Sequence, residues 1–291
     1  MAEQRDEAPR VGSSKMYRAE KARLAFYRIG FGLFVLAVWQ LSADPHSFLA
    51  RIFPNSFPFV DEYWVSTPAK IAKQLYEITS SGELFVHFWG TMLNTFLGYA
   101  IGAVVGICMG FVLAEFELAA KVLEPYIMAL NGVPRIAYAP LFIVWFGIGM
   151  QSKVILVLTI VFFLTFINTY SGIRGVSLDL INIARVMGGT KFKIMLKVVM
   201  PGASPWIISG LKVSVPFALV GAIVGEFIAA SQGLGFLLQL YMNLYNTTGV
   251  ILIILILMLV VMLLNILLNW LESHLLRWRP SSVGSQQGPE T

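Results

Sequence analysis

Six stretches of this chain are each about twenty residues long and mostly apolar, the length at which a helix crosses the roughly 30 Å of hydrocarbon in a bilayer. They run near Leu24 to Ser42, Phe88 to Ala114, Pro125 to Gly147, Val154 to Gly172, Pro205 to Ala230 and Val250 to Trp270. Backbone polar groups find no water in lipid, so these stretches are expected to be helices. The expected fold class is an all-α integral membrane protein with six transmembrane helices. Composition agrees, since 57% of the residues are hydrophobic and 13% are charged, too little charge to cover a surface that faces water. The third stretch contains Pro134, Arg135 and Pro140, so it is expected to be kinked or entered by a short broken helix. Cys108 is the single cysteine and lies in an apolar run; it reads as a small core residue, and no intrachain disulfide can form.

The net charge of +5 speaks first about orientation. With the N-terminus inside, fifteen Lys and Arg fall in inner segments and four, Arg51, Lys70, Lys73 and Lys153, in outer ones, the bias that the positive-inside rule describes. Both termini are therefore expected in the cytosol. Residues 1–23 lack the apolar core of a secretory signal and read as a cytosolic, partly disordered arm. Residues 43–87 read as an outer loop with a short amphipathic helix, begun by Thr67 as N-cap and Pro68 at the first position, with Ile71, Leu75 and Ile78 on one face. Residues 280–291, rich in Ser, Gly and Gln, read as a disordered cytosolic tail.

Between the fourth and fifth stretches the chain spends about thirty residues on the inner side, more than a helix–helix connection needs. Leu178, Ile181, Val186 and Met187 precede Gly188-Gly189, and Ile194, Met195, Val198 and Val199 follow before Pro201. The pattern is helix, sharp turn, helix, stop. Arg185, Lys191, Lys193 and Lys197 take the polar positions, and neither half is long or apolar enough to span. An apolar stripe held outside the bilayer needs a cover, either a protein partner or an anionic lipid surface.

Ala184, Gly188 and the run Val198-Val199-Met200-Pro201-Gly202-Ala203 resemble the cytosolic signature loop of ABC importer permeases, whose pattern runs from Glu-Ala-Ala through a Gly to a late Leu-Pro. The wider chain resembles the nitrate/sulfonate/taurine-type branch in four ordered blocks: APLFIVWFGIG from Ala139, NTYSGIRGV from Asn168, GEFIAAS from Gly225 and GLGFLL from Gly233. The resemblance covers most of residues 53–280. It departs at Asn182, where the family's loop opens on an acidic residue.

The resemblance implies the type I importer permease fold over residues 24–279. Residues 173–204 would form a coupling loop that seats in a cleft of a separate ATPase subunit through Ala184, Arg185, Gly188, Gly189, Lys191 and Pro201. It further implies two ATPase copies, a second permease copy in a homodimer, and an extracytoplasmic solute-binding protein, all at a bacterial inner membrane. The implied solute is small and anionic, like nitrate, a sulfonate or taurine. Neither a cofactor nor a nucleic acid is implied.

Missing motifs argue against an enzyme. The chain has no G-x-x-x-x-G-K-[ST] loop for nucleotide phosphates, its three histidines are not in H-E-x-x-H spacing, and Ser204 is not in G-x-S-x-G. ATP hydrolysis is expected on another subunit. Two other readings stay open: a scaffold that holds a cytosolic partner without transport, and a secondary transporter, which ordinarily needs more ionisable groups inside the membrane.

In the second stretch Gly98, Gly102, Gly106 and Gly110 recur every fourth residue, placing missing side chains on one helix face. Such a face admits a close neighbour, either another helix of the chain or a dimer seam. Gly221 and Gly225 repeat the spacing. With Arg28 taken as snorkelling inward from the first stretch, charge within the stretches comes from Arg135, Lys212 and Glu226, and charge there is costly unless it serves a purpose. Arg135 either supports irregular backbone or lines a path for anions, while Lys212 is expected to snorkel. Glu226, roughly 30 Å along its helix from Pro205, is expected near the outer surface as a gate or a helix–loop tether, too far from either cation to pair. Asn168 and Tyr170 either line the path or bond between helices.

Overall fold

The computed structural model describes residues 12–43 and 62–275, and these fold almost entirely into helices. They are α1 (Gly12–Ala43), α2 (Glu62–Val65), α3 (Pro68–Ser80), α4 (Glu83–Glu115), α5 (Glu117–Gly132), a 3-10 turn (Arg135–Tyr138), α6 (Ala139–Phe146), α7 (Met150–Arg174), α8 (Leu178–Val186), α9 (Lys191–Ile194), a π turn (Met195–Val199), α10 (Met200–Ile228), α11 (Leu234–Asn243) and α12 (Thr247–Leu275). The described residues fall into two compact units, one up to Glu77 with Thr247–Ile251, the other Ile78–Asn246 with the chain from Leu252 onward. The expected tail over 280–291, and much of the expected outer loop and N-terminal arm, lie outside the described residues.

In the first unit α1 is helical from Gly12, well before Leu24. Its apolar side chains from Phe26 to Val38 are exposed, as suits a helix bathed in hydrocarbon. Thr67 caps α3 through a hydrogen bond from the Lys70 N–H to Thr67 Oγ1 (3.4 Å), with Pro68 at the first helical position. Ile71 is buried while Leu75 is exposed, and Ile78, where the second unit begins, is buried. Ser66 takes a left-handed backbone conformation (φ 56°), and its buried hydroxyl shares a hydrogen bond with Thr248 Oγ1 at 2.8 Å.

The second unit is organised around α7. The glycine stripe of α4 lies against it: a Cβ on Gly98 would sit 2.5 Å from Val157 Cβ, on Gly102 2.7 Å from the Leu158 carbonyl oxygen, on Gly106 2.7 Å from the Phe162 carbonyl oxygen and on Gly110 2.8 Å from Thr169 Cβ. Without side chains to separate them the two backbones approach closely, which is how membrane helices gain packing energy when lipid offers no hydrophobic drive. Matched positions rise together along both helices, so α4 and α7 run parallel. α10 packs on another face of α7 in the opposite sense, with Gly210 against Asn168, Gly221 against Ile160 and Gly225 against Lys153. α12 in turn runs antiparallel to α10; Leu264 and Leu268 share an apolar groove with Val215 and Ala218, and Glu272 reaches Lys212.

Parallel neighbours require that the chain return to its starting side between them. Among the described residues, five helices are long and apolar enough to cross a membrane, and α5 with α6 forms a pair bent by 87° at the Val133-Pro134 break. That bent pair carries the chain back along the length of α7, about 37 Å at 1.5 Å per residue, and so counts as a sixth crossing. It begins at Glu117, eight residues ahead of the expected start at Pro125. Pro134 cannot donate to a helical ladder, and the residue before it is driven to extended backbone, here Val133 with ψ 132°.

Three sequence expectations need correction. Cys108 is exposed, on a face of α4 away from the glycine stripe, and does not belong to a core. Pro201 does not stop a helix: one continuous helix runs from Lys191 to Ile228. The π turn accommodates the proline, with the Met200 N–H reaching back five residues to the Met195 carbonyl just ahead of it. Lys212 does not snorkel; its Nζ pairs with Glu272 Oε2. Two partly buried opposite charges satisfy each other better than either would alone.

Candidate functional site

The turn between α8 and α9 is fixed by its two glycines for different reasons. The Gly188 N–H bonds the Arg185 carbonyl (3.0 Å) and the Gly189 N–H bonds the Ala184 carbonyl (2.9 Å), the paired bonds of a Schellman motif. Gly188 holds the left-handed position (φ +81°) with open space around it, whereas a Cβ on Gly189 would lie 2.6 Å from the Ala184 carbonyl oxygen. Thr190 then starts the next helix, its Oγ1 accepting the Lys193 N–H at 3.4 Å.

The apolar stripe of this hairpin divides into two faces. Ile181, Ala184, Ile194, Met195, Val198 and Val199 pack with Ile173 and Ala203 and so join the hairpin rigidly to the ends of α7 and α10. The expected need for an outside cover therefore falls on the other face, where Val186 is 90% and Met187 82% exposed, alongside exposed Leu178, Ile183 and Phe192. Arg185, Lys191, Lys193 and Lys197 surround this face, all exposed. Lys191 also lies 3.8 Å from Glu115 at the end of α4. Asn182, where the related loop carries an acid, accepts a hydrogen bond from Arg185 Nη1 at 3.5 Å. Pro201 lies past the hairpin, exposed at the start of α10.

The four candidate path residues do not converge. Arg135 lies near mid-depth, its guanidinium 5.6 Å from the centre of the Phe163 ring, a cation–π contact. One of its nitrogens donates to Asn131 Oδ1, its buried Nε has no hydrogen-bond partner, and it makes no ion pair among the described residues. Tyr170 connects to it through rings: Phe163 meets Phe162 (5.1 Å), Phe162 stacks on Phe166 (5.7 Å) and Phe166 on Tyr170 (6.0 Å). The Tyr170 hydroxyl accepts from Arg174 Nη1 at 2.9 Å. Asn168 faces α10 instead, filling the space left by Gly210 and donating to the Leu164 carbonyl (2.8 Å).

Glu226 is fully buried at the other end of the unit, where the start of α4, the start of α7 and the end of α10 meet. Its Oε2 accepts from Thr91 Oγ1 (2.8 Å) and from the Gly235 N–H (3.0 Å), and its Oε1 from Asn94 Nδ2 (3.1 Å). Lys153, also buried, presses its stem on Gly225 beside it. Sequence reasoning misses these partners. It places Lys153 in an outer segment, although that residue stands in the first turn of α7. Thr91 and Asn94 are three residues apart in an apolar run, a spacing that puts them on one helix face, and that is the available signal.

A family model described as binding-protein-dependent transport system inner membrane component matches residues 102–277. Among curated relatives, the putative aliphatic sulfonates transport permease protein SsuC of Bacillus subtilis is 33% identical over 86% of this chain and 86% of its own length. The formylaminopyrimidine transport permease protein ThiX of Halalkalibacterium halodurans is 29% identical over 86% of this chain and 94% of its own. A crystal structure of an amino acid ABC transporter aligns with a TM-score of 0.58 at 20% identity, covering 69% of this chain and 97% of that one, which supports the fold. This chain belongs to the binding-protein-dependent transport system inner membrane components, multi-pass permeases of ABC importers and not enzymes.

Proposed function

We infer that the chain forms the solute path of an ATP-driven importer for a small anion such as an alkanesulfonate, and that separate ATPase subunits drive it through the α8–α9 hairpin. The observation that carries this reading is the exposed apolar and basic face of Val186, Met187 and Phe192, set on a fixed turn and continuous with the helix that ends at Ile228. A face of this kind, outside the hydrocarbon, calls for a protein partner. One hairpin serves one ATPase, so two copies of this chain and two ATPases are expected. The clustering of Lys and Arg at the hairpin end supports a cytosolic hairpin and cytosolic termini. A binding protein would then deliver the solute at the Glu226 end.

Arg135 supports the anionic solute. A cation at mid-depth without a carboxylate partner is costly in a membrane and usually marks a pathway. In proteoliposomes holding the permease with its ATPase and binding protein, ATP-dependent uptake of radiolabelled ethanesulfonate is expected. Arg135→Gln should lower it about tenfold or more at unchanged ATPase association. Uptake at the wild-type rate in that variant would remove the anion path, and no ATP-dependent uptake of any alkanesulfonate by the wild-type assembly would remove the solute class.

A further inference from the structure

Three consecutive backbone N–H groups at the start of α11 each meet a side chain from another helix. The Gly233 N–H donates to His87 Nδ1 (3.0 Å), the Leu234 N–H to Thr91 Oγ1 (2.7 Å) and the Gly235 N–H to Glu226 Oε2 (3.0 Å). These are first-turn donors that a helix cannot satisfy internally. His87 and Thr91 belong to α4 and Glu226 to α10, so two helices cap a third. Thr91 links them, because its hydroxyl accepts from Leu234 and donates its own proton to Glu226 at 2.8 Å. The glycines make the approach possible: Gly233 has φ +125°, and a Cβ there would overlap the Glu226 carboxylate, while one on Gly235 would lie 2.5 Å from the Ile223 carbonyl oxygen.

Glu226 also ends the helix that begins in the hairpin. Lys191 to Ile228 is one 38-residue helix, about 57 Å of continuous backbone. Side-chain hydrogen bonds brace it at two points. The Pro201 carbonyl, left without a partner by Pro205, accepts from Ser204 Oγ at 2.8 Å. Five residues before Pro216, the Leu211 carbonyl accepts from Tyr99 Oη (3.1 Å) and Ser214 Oγ (2.9 Å), which ties this stretch of the helix to α4. A stiff rod with a hydrogen-bonded clamp at its far end transmits displacement as well as stability.

We propose that Glu226 and Thr91 are positioning residues that clamp the N-terminus of α11 to α10 and α4, so that a displacement at the hairpin moves α11 at the opposite end of the second unit. This rests on the reading of the hairpin as an ATPase contact. The clamp is read by spin labels on Met242→Cys of α11 and Met150→Cys of α7, both exposed positions, in a Cys108→Ser background. The sample is the full assembly with its ATPase in proteoliposomes, with and without ATP plus vanadate. The wild-type assembly is expected to show a nucleotide-dependent change in the label distance. Thr91→Val, which keeps the shape and removes the hydroxyl, should shrink that change about twofold or more while ATP hydrolysis persists. Thr91→Ser should restore it. A change of wild-type size in Thr91→Val overturns the proposal, as does a wild-type assembly that hydrolyses ATP with a fixed label distance. An ATPase that never associates overturns the hairpin reading itself, which separates the two failures. Should Thr91→Val not assemble, Glu226→Gln combined with Asn94→Asp takes its place. That pair keeps each hydrogen bond, because the amide introduced at position 226 donates to the carboxylate introduced at position 94 and accepts from Thr91 and Gly235. A retained distance change supports the clamp, and a lost one overturns it.

Discussion

Gly188→Trp should leave the protein folded in the membrane and release its ATPase. The added side chain meets no atom within 4 Å at its Cβ, so it projects away from the turn, and the main intrinsic cost is the left-handed backbone at φ +81°, about 1–2 kcal/mol. That cost is borne by a surface turn whose inner face is packed against Ile173 and Ala203. The indole would stand between Met187 and the partner. Apolar anchors at the centre of an interface commonly carry about 2 kcal/mol or more each, so displacing this face should weaken association at least about thirtyfold. Co-purification in mild detergent with a titration of ATPase measures it. Retained association at the wild-type level would remove the hairpin as the contact.

Gly106→Leu should abolish accumulation of folded protein. A Cβ there would overlap Thr165 Oγ1 and lie 2.7 Å from the Phe162 carbonyl oxygen, and a backbone carbonyl cannot rotate away as a side chain can. Overpacking a well-fitted interior costs roughly 1–3 kcal/mol, occasionally more, and here the whole α4–α7 contact would have to open. Gly132→Ala is the control, since nothing lies within 4 Å of its Cβ. Fluorescence-detected gel filtration and thermal unfolding in detergent should separate the two variants clearly. Equal stability would mean that the glycine stripe is dispensable.

Much of the fold was legible because apolar length is a direct physical requirement of crossing lipid. Leu24 to Ser42 and Val154 to Gly172 lie within α1 and α7, and the every-fourth glycine marked the face of α4 that meets α7. The sequence misled where a residue's usual role depends on its exact register. Pro201 looks like a terminator, yet a π turn lets the helix run on through it. Lys212 looked free because its partner Glu272 lies sixty positions away on another helix. The Glu226 cluster was hidden for a related reason: its ligands come from Thr91, Asn94 and the Gly235 amide on separate elements, and only the packing of α4, α10 and α11 brings them together.

The parallel pairing of α4 with α7 bears on how the chain is built. Gly98 meets Val157, about sixty residues later in synthesis, and at roughly 5–20 residues per second that partner emerges some 3–12 s after the glycine face has entered the bilayer. During that interval the groove in α4 has lipid for a neighbour, and only the arrival of the next parallel crossing delivers the helix that fills it. Assembly of this permease is therefore paced by translation, and the segment from Glu117 to Gly149 sets the delay.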